Sequence, residues 1–102
     1  LKKHCESVGA LLILDEIQAG FGRTGKFWAF EHYEIAPDIL VSAKGMGGGM
    51  PIGAFISSFE LMSLLSYDPK LGHITTFGGH PLNCAASLAC LQHLLASNLI
   101  VI

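Results

Sequence analysis

Two residues with reactive side chains stand at the ends of two apolar runs. Asp15 follows the run at 10–14. Lys44 follows the run at 39–43 and precedes a glycine-rich stretch at 45–49. A lysine amine can form an imine with a carbonyl compound, and a carboxylate can hold a protonated ring nitrogen. Together these two groups offer the chemistry that pyridoxal phosphate needs.

Two strands have to position Asp15 and Lys44. Residues 10–14 are apolar at every position, which is typical of a strand covered on both faces, as in parallel sheets. Residues 39–43 predict the next strand. Because the carboxyl ends of parallel neighbours, about 4.8 Å apart, meet at one edge of a sheet, both side chains should reach one small ligand. The sequence therefore predicts a doubly wound α/β fold with a ligand site at this edge.

Local patterns predict the other elements of the chain. A third strand is expected at 53–57, followed by a short helix at 59–65 that is capped near Ser58. Pro81 begins the clearest helix, at about 82–97. Four leucines on one face of that helix are predicted to lie in the core: Leu88, Leu91, Leu94 and Leu95. Further expectations are a helix end at 1–9, a short helix at 27–33, a linker at 66–73 and a loop at 74–80.

Composition narrows the class of protein. Of the 102 residues, 51% are apolar, and the net charge is −2 with the basic residues scattered, so neither a nucleic-acid surface nor an anionic-membrane surface is predicted. Three cysteines without C-x-x-C spacing indicate reduced thiols. We find neither a membrane span nor a signal peptide and therefore expect a cytoplasmic location. Both ends of the sequence look cut, which predicts a segment of a larger domain that does not act alone.

Other interpretations of the polar residues are weaker. The glycines at 45–49 could form a phosphate loop, but the lysine precedes them instead of following them. The histidines lack metal-ligand spacing, so no metal site is expected. Arg23 could clamp a carboxylate, although bracing its own turn is the favoured role, and Glu16 could form a salt bridge with Arg23. The aromatic residues near 27–33 are predicted to pack together and not to stack on bases.

Several motifs resemble those of the class III aminotransferases, which are fold-type-I pyridoxal phosphate enzymes. They are Leu14-Asp15-Glu16-Ile17-Gln18, Gly22-Arg23-Thr24-Gly25, Pro37-Asp38-Ile39, Ala43-Lys44-Gly45, Gly48-Gly49-Met50-Pro51-Ile52-Gly53 and Thr75-Thr76-Phe77-Gly78-Gly79-His80-Pro81-Leu82. Their order and spacing argue against chance similarity. His80 replaces the asparagine that is usual in the family. We expect its loop to persist, with a pH dependence near the range in which histidine titrates.

The resemblance assigns four residues to the coenzyme. It implies that Lys44 forms the Schiff base and moves the proton of transamination, and that Asp15 pairs with the pyridine nitrogen. It also implies that Gln18 lies beside the phenolic oxygen and that Thr76 binds the phosphate. In the family this threonine reaches the coenzyme of the neighbouring subunit, so a homodimer with shared active sites is implied.

The resemblance also implies a fold and a reaction. Residues 1–102 would form part of the pyridoxal phosphate-binding large domain, a three-layer α/β/α structure with a mostly parallel sheet, without the rest of that domain or the small domain. The implied reaction moves an amino group from an ω-amino acid, such as acetylornithine, ornithine or 4-aminobutyrate, to a 2-oxo acid. The alternatives are an aminomutase of the same class and a non-catalytic segment that acts only in assembly.

Overall fold

The chain folds into a small sheet and one long helix, which packs against the turn that follows the second strand. The computed structural model describes residues 1–70 and 73–100. Its strands are β1 (Ile13–Asp15), β2 (Ile39–Ser42) and β3 (Ala54–Ser57), and its α-helices are α1 (Lys2–Ser7), α2 (Phe59–Ser63) and α3 (Pro81–Ala96). Short 3-10 helices lie at Ala29–Tyr33, Lys44–Gly47, Leu64–Ser66 and Asn98–Ile100.

The sheet has the order β1-β2-β3. β1 and β2 are parallel, with Asp15 opposite Val41, so the expectation that Asp15 and Lys44 stand at one edge is confirmed. β3 runs antiparallel to β2. The connection at 43–53 contains no crossover helix long enough to return the chain to the other end of the sheet, which explains this direction.

Most predicted elements are present with shifted ends. The predicted helix that begins at Pro81 is confirmed, as is the cap of α2, where the Ser58 hydroxyl accepts a hydrogen bond from the Leu61 N–H at 3.3 Å. The short helix predicted at 27–33 is a 3-10 helix. Part of the predicted linker, residues 71 and 72, lies outside the described residues.

β1 is shorter than predicted because the Asp38 side chain binds the backbone just before the strand begins. Asp38 accepts a hydrogen bond from the Leu12 N–H at 2.7 Å, while its other carboxylate oxygen lies 2.7 Å from the Lys2 ammonium. The Leu12 carbonyl in turn accepts from the backbone N–H of Asp38 at 2.9 Å and of Ile39 at 3.2 Å. These contacts fix the amino ends of β1 and β2 against each other and thereby set their register.

The prediction that the first strand is covered on both faces is wrong for this chain. Among the described residues the buried apolar side chains are Leu12 and Leu40, whereas Ile13 is 57% exposed. The leucine face of α3 was also predicted to be core, yet Leu88 is 55% and Leu95 69% exposed. Three strands and one long helix are too few to cover both faces of the sheet and the helix as well.

Glu16 is a buried carboxylate with a structural role. It is 4% exposed and accepts hydrogen bonds from the backbone N–H groups of Ala29 and Phe30, both at 2.9 Å. Both donors are at the start of the 3-10 helix, where N–H groups lack partners within the helix. The hypothesis of a salt bridge between Glu16 and Arg23 is wrong, because the Glu16 carboxylate binds backbone N–H groups and forms no ion pair with Arg23.

An aromatic cluster follows Glu16 along the chain. The rings of Phe21, Phe27 and Trp28 lie 5.0–5.4 Å apart in tilted or edge-on arrangements, and Phe30 stacks on Trp28 at 6.4 Å. Gly20 is needed there, since a Cβ would lie 2.7 Å from the Trp28 ring. The prediction that these aromatic residues pack together is confirmed.

No helix among residues 1–70 and 73–100 has the length and apolar character to cross a membrane.

The contact between Asp38 and Leu12 makes the stability of the sheet depend on pH. The Leu12 N–H, followed by the Lys2 ammonium, holds the pKa of Asp38 below its ordinary value of 3.8. A lowered carboxyl pKa gives a contribution to stability that is complete above the unfolded-state pKa and is lost as the pH falls through the folded-state pKa. We therefore expect Asp38→Asn to remove part of the acid sensitivity of the protein that carries this chain.

The measurement is the thermal unfolding midpoint from neutral pH down to about pH 2, the range over which such a carboxylate loses its contribution. The wild type should lose stability more steeply than Asp38→Asn below about pH 5. Glu34→Gln is the matched control, since Glu34 is exposed and its carboxylate accepts no hydrogen bond from the described residues. Equal acid slopes for Asp38→Asn and the wild type would contradict this account.

Candidate active site

Lys44 has an unusual backbone conformation. It stands two residues beyond β2, and its φ is +46°, in the left-handed region. For a residue with a Cβ this conformation costs about 1–2 kcal/mol. The turn that holds it is closed by hydrogen bonds from the Met46 N–H to the Ala43 carbonyl at 3.0 Å and from the Gly48 N–H to the Gly45 carbonyl at 3.3 Å. Phe21 and Glu34 also have a positive φ, so it is the strain together with the reactive amine that points to a functional position at Lys44.

The Lys44 side chain meets Gln18 in an open cavity. Its ammonium donates to the amide oxygen of Gln18 at 3.1 Å, and both side chains are exposed. The cavity has a volume of about 940 Å³, and its lining also includes Gly20, Arg23 and Cys90. A neutral amide orients the amine without adding a second charge. Two of the four predicted coenzyme residues are thus brought together.

Asp15 stands on the neighbouring strand end. One of its carboxylate oxygens accepts a hydrogen bond from the Ile17 N–H at 2.9 Å, which fixes the side chain in a local turn. The other oxygen makes no hydrogen bond with any of the described residues and remains available to a protonated partner. Asp15 lies at the same sheet edge as Lys44 but is not part of the lining of the large cavity.

Thr76 shares neither a hydrogen bond nor a cavity with the other three residues in the described part of the chain. It is exposed in the loop that precedes α3 and lines neither the cavity at Lys44 nor a second open cavity of about 270 Å³. The second cavity lies between the segment at 51–53 and the loop, and its lining includes Phe77, His80 and Asn83. Within the described part of the chain, Thr76 is not brought together with Asp15, Gln18 and Lys44.

Arg23 does not perform the predicted bracing. Its guanidinium is exposed, and it has no polar partner among residues 1–70 and 73–100. The turn is held instead by His32, whose Nε2 lies 2.9 Å from the Thr24 carbonyl oxygen and 3.1 Å from its hydroxyl.

Among residues 1–70 and 73–100, no group of three side chains that could bind a metal ion comes together.

The contacts that α3 makes with the loop after Lys44 were not predicted from the sequence. Asn83 donates to the Pro51 carbonyl at 2.6 Å, and Cys90 to the Gly45 carbonyl at 3.4 Å. The partners are 32 and 45 residues apart. Because both acceptors are backbone carbonyls, no side-chain pattern in the sequence predicts these two hydrogen bonds.

A model of the family described as aminotransferase class-III matches residues 1–101. The chain belongs to the class-III aminotransferase family. It is 58% identical over 96 residues to a putrescine aminotransferase from Pectobacterium atrosepticum, an alignment that covers 93% of this chain and 20% of that protein. The resemblance seen in the sequence motifs is thereby confirmed at the level of the family.

Solved structures of aminotransferases have the same fold. An S-selective transaminase from Bacillus megaterium superimposes with a TM-score of 0.89 at 34% identity, over 97% of this chain and 21% of that one. An ornithine aminotransferase from Toxoplasma gondii gives a TM-score of 0.88 at 40% identity, over 97% and 23%. The class-III chain therefore has the α/β architecture of fold-type-I transaminases, and it spans about a fifth of the length of these relatives.

His80 is the N-cap residue of α3, and its side chain makes no capping hydrogen bond. Its backbone φ and ψ of −54° and 124° are extended enough for a capping side chain. Asparagine is among the best N-cap residues, so His80→Asn should stabilise the protein by about 0.5–1 kcal/mol.

Denaturant unfolding at neutral pH measures this gain, with His93→Asn in the last turns of α3 as the control that cannot act as an N-cap. A His80→Asn variant no more stable than the wild type would show that the helix start is satisfied in another way. The pH–rate profile of the same variant tests the separate expectation that histidine changes the pH dependence of the loop.

Proposed function

We propose that this chain is part of the pyridoxal phosphate-binding large domain of a longer class-III aminotransferase, which transfers an amino group from a donor to a 2-oxo acid. The observation that carries the proposal is the strained Lys44, whose amine enters an open cavity and is held 3.1 Å from the amide of Gln18. Asp15 at the adjacent strand end adds a carboxylate with a free oxygen.

These residues fit the coenzyme chemically. Lys44 offers an amine for its aldehyde, Asp15 a negative charge for its ring nitrogen and Gln18 a neutral amide for its phenolic oxygen. Pyridoxal phosphate, when bound, supplies an electron-accepting ring for the carbon that loses its proton. The amine, carboxylate and amide of these three side chains therefore match pyridoxal phosphate, the coenzyme that the family implies.

The side chains then have separate tasks. The Asp15 carboxylate would keep a proton on the ring nitrogen of bound coenzyme, since a neighbouring negative charge favours the protonated form. The Lys44 Nζ, when not bonded to the coenzyme, would take the proton from the substrate carbon that bears the amino group and deliver it to the coenzyme carbon that receives the amino group. Gln18 keeps that amine in the cavity through its amide oxygen.

For the amino donor we propose a compound with a terminal primary amine. The support comes from the relatives, one of which is a putrescine aminotransferase while others are ornithine aminotransferases. Acetylornithine, ornithine and 4-aminobutyrate share this terminal amine with putrescine. The acceptor in the proposal is a 2-oxo acid.

We also propose a homodimer with shared active sites and a cytoplasmic location. The position of Thr76 supports the dimer, because an exposed threonine that does not line the cavity at its own Lys44 is free to reach a neighbouring subunit's coenzyme. The three free cysteines support a reducing compartment. The exposed apolar faces of β1 and α3 support the view that these 102 residues do not act alone.

The test is an amino-transfer assay on the full-length protein with each of the four donors and 2-oxoglutarate. Lys44→Ala should lower kcat by about 10²–10⁴-fold or more, the usual contribution of a positioned acid–base group. Asp15→Asn should lower kcat while the protein remains folded, because a neutral amide no longer favours the protonated ring nitrogen. Lys3→Ala, which removes an exposed lysine of α1, is the control and should keep the wild-type rate.

Full activity of Lys44→Ala would contradict the assignment of the lysine. Lack of transfer from all four donors would contradict the proposed donor class.

A further inference from the structure

One face of α3 holds the lysine loop, defined as residues 44–51, at both of its ends. At the far end the Asn83 amide donates to the Pro51 carbonyl at 2.6 Å. At the near end the Cys90 thiol donates to the carbonyl of Gly45, the residue after Lys44, at 3.4 Å. Both contacts act on backbone carbonyls and therefore restrain the path of the loop directly.

The middle of the lysine loop lies against the same face of α3. A Cβ on Gly48 would be 3.0 Å from the Cβ of Cys90 and 3.1 Å from the Ala86 carbonyl oxygen, so only glycine permits this approach. The φ of Gly48 is +58°, which glycine adopts without strain. Residues 83, 86 and 90 are three and four apart, the spacing that places side chains on one face of a helix.

The lysine loop needs this external support. Residues 45, 47, 48 and 49 are glycines, which have more backbone freedom to lose than other residues. Lys44 itself is held in a left-handed conformation that an unrestrained lysine would leave. The contacts at Pro51, Gly48 and Gly45 restrict the loop on both sides of its flexible centre.

We propose that Asn83 and Cys90 are positioning residues for Lys44. By fixing the lysine loop they keep the Lys44 amine in the cavity beside Gln18, although neither side chain forms a hydrogen bond with that amine. The proposal rests on the proposed function of Lys44 and adds that α3 sets the reach of the amine. A displacement of about 1 Å at a reacting group can cost about 100-fold in rate.

The experiment compares Asn83→Ala and Cys90→Ala in the full-length protein with Gln92→Ala and Cys84→Ala. The two controls change exposed residues of the same helix that make no side-chain hydrogen bond with the described part of the chain. Cys90→Ser is the conservative variant, because a hydroxyl can still donate to the Gly45 carbonyl. The first readout is kcat and KM for the amino donor, and the second is amide hydrogen exchange of a peptide covering 44–51 in the coenzyme-free protein.

We expect kcat to fall about 10- to 100-fold in Asn83→Ala and Cys90→Ala, with KM changed much less, because the chemical step and not donor binding depends on the position of the amine. Exchange in the peptide should become several-fold faster. Cys90→Ser should restore most of the wild-type kcat and most of the slow exchange. The two controls should match the wild type in kcat and in exchange.

Unchanged kcat and unchanged exchange in both alanine variants would overturn the proposal. A fall in kcat no larger than the fall in the fraction of folded protein would also overturn it. So would a loss of kcat in Cys90→Ala that Cys90→Ser does not recover. Failure of the proposed function gives a different result, since the wild type itself would then lack amino transfer. Hydrogen exchange would in that case still decide whether α3 holds the lysine loop.

Discussion

The parallel pairing of β1 with β2 is the constraint on which the candidate site depends. Parallel strands place their carboxyl ends at one edge, so Asp15 and the residues that follow β2 become neighbours although they are far apart in the sequence. The register is fixed at the opposite end, where Asp38 binds the Leu12 N–H and the Lys2 ammonium. Because side chains alternate along a strand, a slip of one residue would turn the Asp15 carboxylate to the other face.

The second requirement is a rigid exit from β2. The glycines after Lys44 allow the chain to turn sharply and to approach α3 closely, but they also make the lysine loop costly to order. The fold compensates with contacts from α3 on both sides of Gly48. The same helix leaves Leu82, Leu88 and Leu95 exposed in this chain, so its best-defined interaction here is with the loop and not with an apolar core.

The sequence predicted most elements and the edge at which the reactive residues meet, because apolar runs, a helix-starting proline and glycine clusters are local signals. It failed where the outcome depends on distant partners. The apolar run at 10–14 indicated a strand covered on both faces, yet Ile13 is exposed. Glu16 was expected to pair with a charge, but it caps the 3-10 helix through backbone N–H groups. Burial of a strand and hydrogen bonds to a distant backbone are set only when the chain is folded, so no local residue pattern predicts them.

The central claim is that the Lys44 amine is the group of this chain that bonds to pyridoxal phosphate. The most direct measurement is borohydride reduction of the coloured full-length protein, followed by mass spectrometry of its peptides. The account predicts a pyridoxyl group on Lys44, with loss of the visible absorption. A pyridoxyl group on another lysine, with Lys44 unmodified, would contradict it.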